Sequence, residues 1–214
     1  NNMIKPCTGI TPEVGAKLAY QAAVGGCDFI KDDELIGGGV VYNTIEDRVK
    51  TFMKALKRAD EEKGEKTLYT INITDRFDRM MENAKRAIDA GANALMVNFM
   101  TVGLGAVQAL AEDPDINVPI LGHEDFLGAI IGSPINGVSS HIFAKLARLC
   151  GLDATLAVTP FGKHPWLTEK ATRWIQVLRA PMGNIKPSLP LLGGGIFTGS
   201  VSAHVEAFGN DCII

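Results

Sequence analysis

The sequence predicts an α/β fold, a (β/α)8 TIM barrel truncated at both ends, with residues 1–214 forming one domain. Three observations predict it. Short apolar segments bounded by Gly, Pro, Asn or Asp alternate with amphipathic helical segments through all 214 residues, as buried parallel strands and their crossover helices do. The spacing is even, and eight strand segments with seven helices between them make a barrel short of its last helix. No Gly-x-Gly-x-x-Gly follows the first strand, which argues against the runner-up, a doubly wound open sheet.

Taken in order, the first strand is expected at Met3–Lys5, and Pro6 holds Lys5 in an extended segment. Thr11 caps a helix with Pro12 in its first turn, running to about Val24. A strand follows at Cys27–Lys31. Thr44-Ile45-Glu46-Asp47 opens a long charged helix that reaches about Lys63 and ends at Gly64. Strand Thr67–Ile73 leads to a helix from Asp75 to Ala90, ended by Gly91. Strand Ala94–Phe99 precedes a helix at Gly105–Ala111. Strand Val118–Gly122 precedes a helix at Val138–Cys150. Strands Ala154–Thr159 and Leu189–Gly193 flank a helix at Thr168–Leu178, and a helix at Val201–Phe208 leads to the last strand, Asp211–Ile214. Gly151 repeats the helix–Gly–strand punctuation of Gly91. The chain begins inside a motif and stops in an apolar run, so a fragment of a longer protein is expected.

Net charge is −3, which offers no polyanion-binding surface, so no nucleic-acid partner is expected. No apolar run approaches the length of a membrane span, and Asn1-Asn2-Met3-Ile4 is not a signal peptide. The four cysteines, Cys7, Cys27, Cys150 and Cys212, are far apart and form no Cys-x-x-Cys. That usage points to a reducing cytoplasm and away from structural zinc.

The most informative run is Gly25-Gly26-Cys27-Asp28-Phe29-Ile30-Lys31-Asp32-Asp33-Glu34. It climbs from an apolar strand into four ionisable residues at a strand end, where barrels carry their chemistry. Asp33 and Glu34 supply hard oxygen ligands suited to Mg²⁺, and Lys31 joins them only if its amine is carboxylated to a carbamate. A solvated acidic loop is the alternative. Other polar residues at predicted strand ends are Lys5, Asn72, Thr74, Asn98, His123, Glu124, Asp125, Thr159 and Lys163. Lys5 can steady an anionic oxygen or be a plain exposed lysine. His123 can act as general acid or base or be structural. Gly193-Gly194-Gly195 can present backbone N–H groups to a phosphate or be a plain turn.

Ile4-Lys5-Pro6…Gly9, the Gly-Gly-x-Asp-x-x-Lys-Asp-Asp-Glu run, Leu121-Gly122-His123, Phe161-Gly162-Lys163 and Gly193-Gly194-Gly195-Ile196 resemble the RuBisCO large subunit and the RuBisCO-like proteins, in order over nearly the whole chain. The resemblance implies an amino-terminal domain before this segment and a completed eighth β/α unit after it. It makes Lys31 a carbamylated lysine, formed with CO2, that holds Mg²⁺ with Asp33 and Glu34. Lys5 then serves proton chemistry at the sugar carbonyl, and His123 contacts substrate hydroxyls. Asn72 and Lys163 line the substrate, and Gly193, Gly194 and Gly195 bind phosphate.

The departures are as informative. Cys7 stands where carboxylases have the second lysine of Lys-Pro-Lys, and Glu124 where they have an arginine on phosphate. Val158-Thr159-Pro160-Phe161-Gly162 replaces a His-Ser-Gly-Thr run, and Gly193 replaces a serine. The pattern is similar to the non-carboxylating, type IV branch. The expected function is Mg²⁺-dependent enolisation or isomerisation of a phosphorylated ketose or related sugar phosphate, by a cytoplasmic homodimer or higher homo-oligomer. The alternatives are ribulose bisphosphate carboxylation and a non-catalytic regulatory barrel.

Overall fold

The computed structural model describes residues 1–164 and 166–214 and divides into two compact units. The first comprises Asn1–Asn98 and Ala109–Leu121, the second Phe99–Gln108 and Gly122–Ile214.

In the first unit, β1 (Asn2–Met3), β2 (Phe29–Lys31), β3 (Leu68–Asn72) and β4 (Ala94–Asn98) pair in parallel and in chain order. Leu95 N–H then donates to Pro119 O at 2.9 Å, bringing up the first half of β5 (Ile120–His123). A doubly wound sheet would reverse its strand order; this succession does not. β5 starts two residues later than predicted because Pro119 has a carbonyl but no N–H to offer a ladder. β2 starts at Phe29 and not Cys27, because the Cys27 amide closes the preceding helix on Ala22 O at 3.1 Å.

That helix, α1 (Pro12–Val24), has Thr11 as its N-cap, accepting from Val14 N–H. α2 (Ile45–Lys63) starts at Thr44, whose hydroxyl accepts from Asp47 N–H, and ends at Gly64 with φ +80°. Only a residue without a Cβ adopts that left-handed cap cheaply. Ile45, Val49, Phe52, Leu56 and Ala59 form the buried stripe of α2. Phe52 stacks on Tyr69 of β3 with centroids 4.6 Å apart, and α1 comes close enough that a Cβ on Gly15 would lie 2.6 Å from the Phe52 ring. α3 (Phe77–Asp89) starts after Asp75, whose carboxylate accepts from Arg76 N–H at 2.8 Å.

In the second unit, the remainder of β5 is followed by β6 (Ala154–Val158) and β7 (Leu189–Gly193), paired in register from Ala154↔Leu189 to Val158↔Gly193. The helices are α4 (Phe99–Val102), the first part of α5 (Leu104–Glu112), α6 (Leu127–Ile131), α7 (Ser140–Leu149), α8 (Thr168–Arg179) and α9 (Val201–Phe208). α4 and α6 escaped the sequence reading because four or five residues are too short to show a 3.6-residue period.

The eighth strand of the expected barrel is reduced to one bridge, Leu191↔Ile213, flanked by Ile213 N–H to Pro190 O and Leu192 N–H to Ile213 O. Arg179 holds Phe208 O and Asp211 O, so the carbonyls ahead of Ile213 face a guanidinium and not a ladder. Among the described residues the structure therefore shows an α/β fold of seven parallel strands, not a complete eight-stranded barrel. No helix among the described residues is long and apolar enough to cross a membrane.

Candidate functional site

The chain after β2 turns into the first unit instead of out to solvent. Lys31 is 3 % exposed, Asp32 1 % and Asp33 0 %, so the solvated-loop alternative does not hold. Burying charges is costly unless they are paired, and each is paired. Asp32 accepts from Arg48 Nε at 2.9 Å, Tyr69 OH at 2.5 Å and Asn72 N–H at 2.9 Å. Arg48 donates onward to Asn43 O at 2.7 Å. Burial pulls on the guanidinium, but Asp32 and Tyr69 more than offset it and its pKa rises. Burial, reinforced by Asp32, lifts the Tyr69 phenol well above its ordinary value.

Asp32 thus faces α2, while its neighbours serve the other side of the loop. Lys31 Nζ donates to Asp32 O at 2.8 Å and to Glu34 Oε2 at 3.3 Å, and contacts Met3 Sδ. Its amine pKa is lowered, first by burial, with Glu34, Asp33 and Asp32 opposing. Asp33 pairs with Lys5 through Oδ2 and accepts Leu35 N–H through Oδ1 at 2.9 Å. The Lys5 amine is half-exposed; burial is the largest single influence and lowers its pKa, but the bond and charge of Asp33, with Glu34, together outweigh it and the pKa rises.

Two asparagines fix the loop from behind. Asn72 donates to Glu34 O at 2.9 Å, and its carbonyl accepts from Thr74 N–H and Oγ1. Asn98 donates to the same Glu34 O at 3.0 Å. Asn72 is completely buried and braces the Asp33–Glu34 backbone. The first unit therefore brings together Lys5, Lys31, Asp33, Glu34 and Asn72. The sequence reading missed Asp32 and Arg48. The available signal was an arginine at a buried position of an amphipathic helix, which requires a buried counter-charge.

The second unit holds the other expected residues. His123 ends β5, is buried, and lies 3.4 Å from Asp125 through Nδ1. Glu124 follows, buried, with Oε2 lacking a hydrogen-bond partner. Burial, opposed by Lys170 and assisted by Asp125, raises its carboxyl pKa to about 8. Gly194 and Gly195 both have φ near +100°, at +98° and +99°. Lys163 N–H donates to Gly194 O, and a Cβ on Gly195 would press on Lys163. The Lys163 loop and the Gly193–Gly195 turn are thus clamped backbone to backbone. Thr159, another strand-end residue, is engaged by His204 Nε2 at 2.8 Å, while His204 Nδ1 contacts Ser200 O. The Ser200 carbonyl can only accept, so His204 Nδ1 carries a proton and donates to it.

The donor set of the first unit fits Mg²⁺ chemically. Two carboxylates supply oxygen, and burial shifts the Lys31 amine toward the neutral form that carbamate formation requires.

Comparison with known proteins gives a consistent picture. The model of the ribulose bisphosphate carboxylase large chain, catalytic domain, matches residues 1–214. A RuBisCO-like protein from Archaeoglobus fulgidus is 48 % identical over the whole chain, which spans 49 % of that relative. A 2,3-diketo-5-methylthiopentyl-1-phosphate enolase from Bacillus cytotoxicus is 38 % identical over 94 % of the chain and 50 % of its own length. The octameric ribulose-1,5-bisphosphate carboxylase/oxygenase from Pyrococcus horikoshii superposes with a TM-score of 0.94 at 29 % identity, over the full chain and 52 % of that structure. The chain spans about half the length of the curated relatives it matches. With the Lys31–Glu34 loop and its ordered strands, this match over every residue places the chain in the RuBisCO large-chain catalytic-domain family.

Proposed function

We propose that the protein is a Mg²⁺-dependent enolase or isomerase of a phosphorylated ketose or related sugar phosphate, working through an enediolate. The observation that carries this reading is the buried, braced Lys31–Asp33–Glu34 loop, supported by the enolase relative. The fold alone does not decide, since a carboxylase superposes closely and one fold hosts several chemistries. Glu124 favours the enolase: a carboxyl group cannot grip a second phosphate as an arginine does.

Lys31, as its CO2 carbamate, would hold Mg²⁺ with Asp33 and Glu34, and the ion when bound polarises the substrate carbonyl and its neighbouring oxygen. Lys5, already charged beside Asp33, stabilises the oxyanion that develops when the α-proton leaves. The α-proton goes to the Lys31 carbamate, to His123, or to a lysine of an amino-terminal domain supplied by a partner subunit. In the second unit, His123 is assigned to substrate hydroxyls, and Lys163 with Gly193, Gly194 and Gly195 to phosphate. Asn72 keeps Glu34 in place while contributing to the substrate side. A cytoplasmic homodimer or larger homo-oligomer completes the proposal.

The test is calorimetric Mg²⁺ binding to the full-length protein with and without bicarbonate, for wild type and Lys31→Ala. Bicarbonate-dependent binding that disappears in the variant supports the carbamate site, and α-proton exchange of sugar phosphates in deuterated water then identifies the reaction. Binding that ignores both bicarbonate and the substitution removes the carbamate and brings the non-catalytic reading forward.

A further inference from the structure

Between the end of α6, the start of α7 and the first turns of α8, the second unit holds a cavity of about 290 Å³. None of the residues assigned to the proposed reaction lines it. Ile131, Val138 and Leu167 supply apolar wall, and Ser139, Ser140 and His141 bring in the first turn of α7. That turn is uncapped. The Ser139 side chain makes no capping bond, and the first turn carries no acidic residue. The N–H groups of Ser140 and His141 lie too early for an acceptor within the helix, and they take none outside it among the described residues. Such a helix start presents free donors and the positive end of its dipole.

Ser140 points to a ligand independently of the helix. It is 5 % exposed, yet its hydroxyl has no hydrogen-bond partner among the described residues. The other buried serines, Ser188 and Ser200, each donate to a carbonyl. The Ser140 hydroxyl is not one of the polar atoms sealed in the core, so the little surface it keeps opens on the cavity it lines. A buried hydroxyl without a partner costs free energy that a bound acceptor would recover.

The charge around the cavity is positive. Lys170 Nζ rests over the Trp166 ring, 4.5 Å from its centroid, and makes no salt bridge among the described residues. Arg173 gives one nitrogen to Glu169 at 2.6 Å and keeps its other N–H groups without an acceptor among the described residues. Glu169 is the carboxylate of the lining, and its side chain is 73 % exposed.

We propose that this cavity binds a phosphomonoester of a compact apolar group. Ser140 and the first N–H groups of α7 hold the phosphoryl oxygens, Lys170 and Arg173 balance their charge, and Ile131, Val138 and Leu167 cover the apolar group. A carboxylate fits less well: it has one charge and two oxygens in one plane. A phosphoryl group offers three oxygens and up to two charges to donors that converge from two helices. The proposal does not depend on the sugar-phosphate reading.

The test titrates phenyl phosphate and inorganic phosphate into the full-length protein by calorimetry. Wild type should bind phenyl phosphate saturably and about tenfold more tightly than inorganic phosphate, because the ring buries against the apolar wall. Ser140→Ala should weaken phenyl phosphate roughly tenfold. Arg173→Glu, a change at a side chain 59 % exposed, should abolish this binding, and Arg173→Lys should keep most of it. Crystals of the full-length protein soaked in selenate should show anomalous density against the Ser140 hydroxyl, absent in Arg173→Glu. Isotherms that coincide for wild type and Arg173→Glu would overturn the proposal even if Ser140→Ala failed to fold. Equal affinity for the two probes, no saturable binding, or selenate found only outside the cavity would each overturn it as well.

Discussion

Asp32 shows how a residue without a place in the chemistry can govern it. It sits between Lys31 and Asp33, both expected ligands, yet its carboxylate faces Arg48, Tyr69 and the Asn72 amide. Asp32→Asn would leave the Arg48 guanidinium buried beside a neutral amide. Breaking one side of a buried pair typically costs about 3–5 kcal/mol, so the urea midpoint should drop sharply, or the protein should fail to fold. A shift below about 1 kcal/mol would mean the pair is dispensable. Glu124 yields a second prediction at this scale, with the opposite pH sense to an ordinary carboxylate. Its folded pKa, about 8, lies above its ordinary 4.5, so the folded state binds the extra proton. The stability it contributes is complete below pH 4.5 and is lost as pH rises through 8, on the order of 5 kcal/mol in all. Glu124→Gln should therefore flatten the fall in stability between about pH 5 and 8 in chemical denaturation. Parallel curves for the two proteins would show that the Glu124 carboxyl ionises normally.

At the scale of elements, the contact of α1 with α2 hinges on Gly15. An alanine there gains up to about 1 kcal/mol of helix propensity but drives a methyl into a Phe52 ring held by Tyr69. Overpacking of this kind costs about 1–3 kcal/mol, so Gly15→Ala should lower the melting temperature by several degrees, and a stabilised variant would show that α1 can shift outward. Thr44→Ala should remove roughly 1 kcal/mol by uncapping α2, again read from denaturation. These elements were legible in advance because they carry their own punctuation: Thr11 with Pro12, and Thr44 through to Gly64, marked both helices nearly to the residue. Other features depended on partners far away in sequence. Cys27 reads as strand by its apolar neighbours, but its amide belongs to the cap of α1. Asp211–Ile214 reads as a full strand, but Arg179 takes the carbonyls around it. The candidate site divides in the same way. Lys31, Asp33 and Glu34 were visible because their types and spacing are chemical. The Asp32–Arg48 pair was not, since 16 residues and a helix separate its halves.

For the whole molecule, the natural test is assembly. The proposal of a homo-oligomer predicts that the full-length protein scatters light as a dimer or larger species at micromolar concentration. A monomer that still exchanges the α-proton would remove the need for a partner's lysine. The two compact units are also not consecutive stretches of chain. The polypeptide passes from one to the other at Asn98, at Gln108 and at Leu121, and both α5 and β5 contribute to each. A ribosome releases the chain from its amino end, and domains generally fold as units as they emerge. The Lys31–Glu34 loop is therefore made before its own unit is complete, because that unit lacks its last segment until Leu121 has left the exit tunnel. By then the first part of the second unit, Phe99–Gln108, is already waiting. A nascent chain arrested shortly after β4 should expose this loop to protease, and one arrested well beyond Leu121 should protect it.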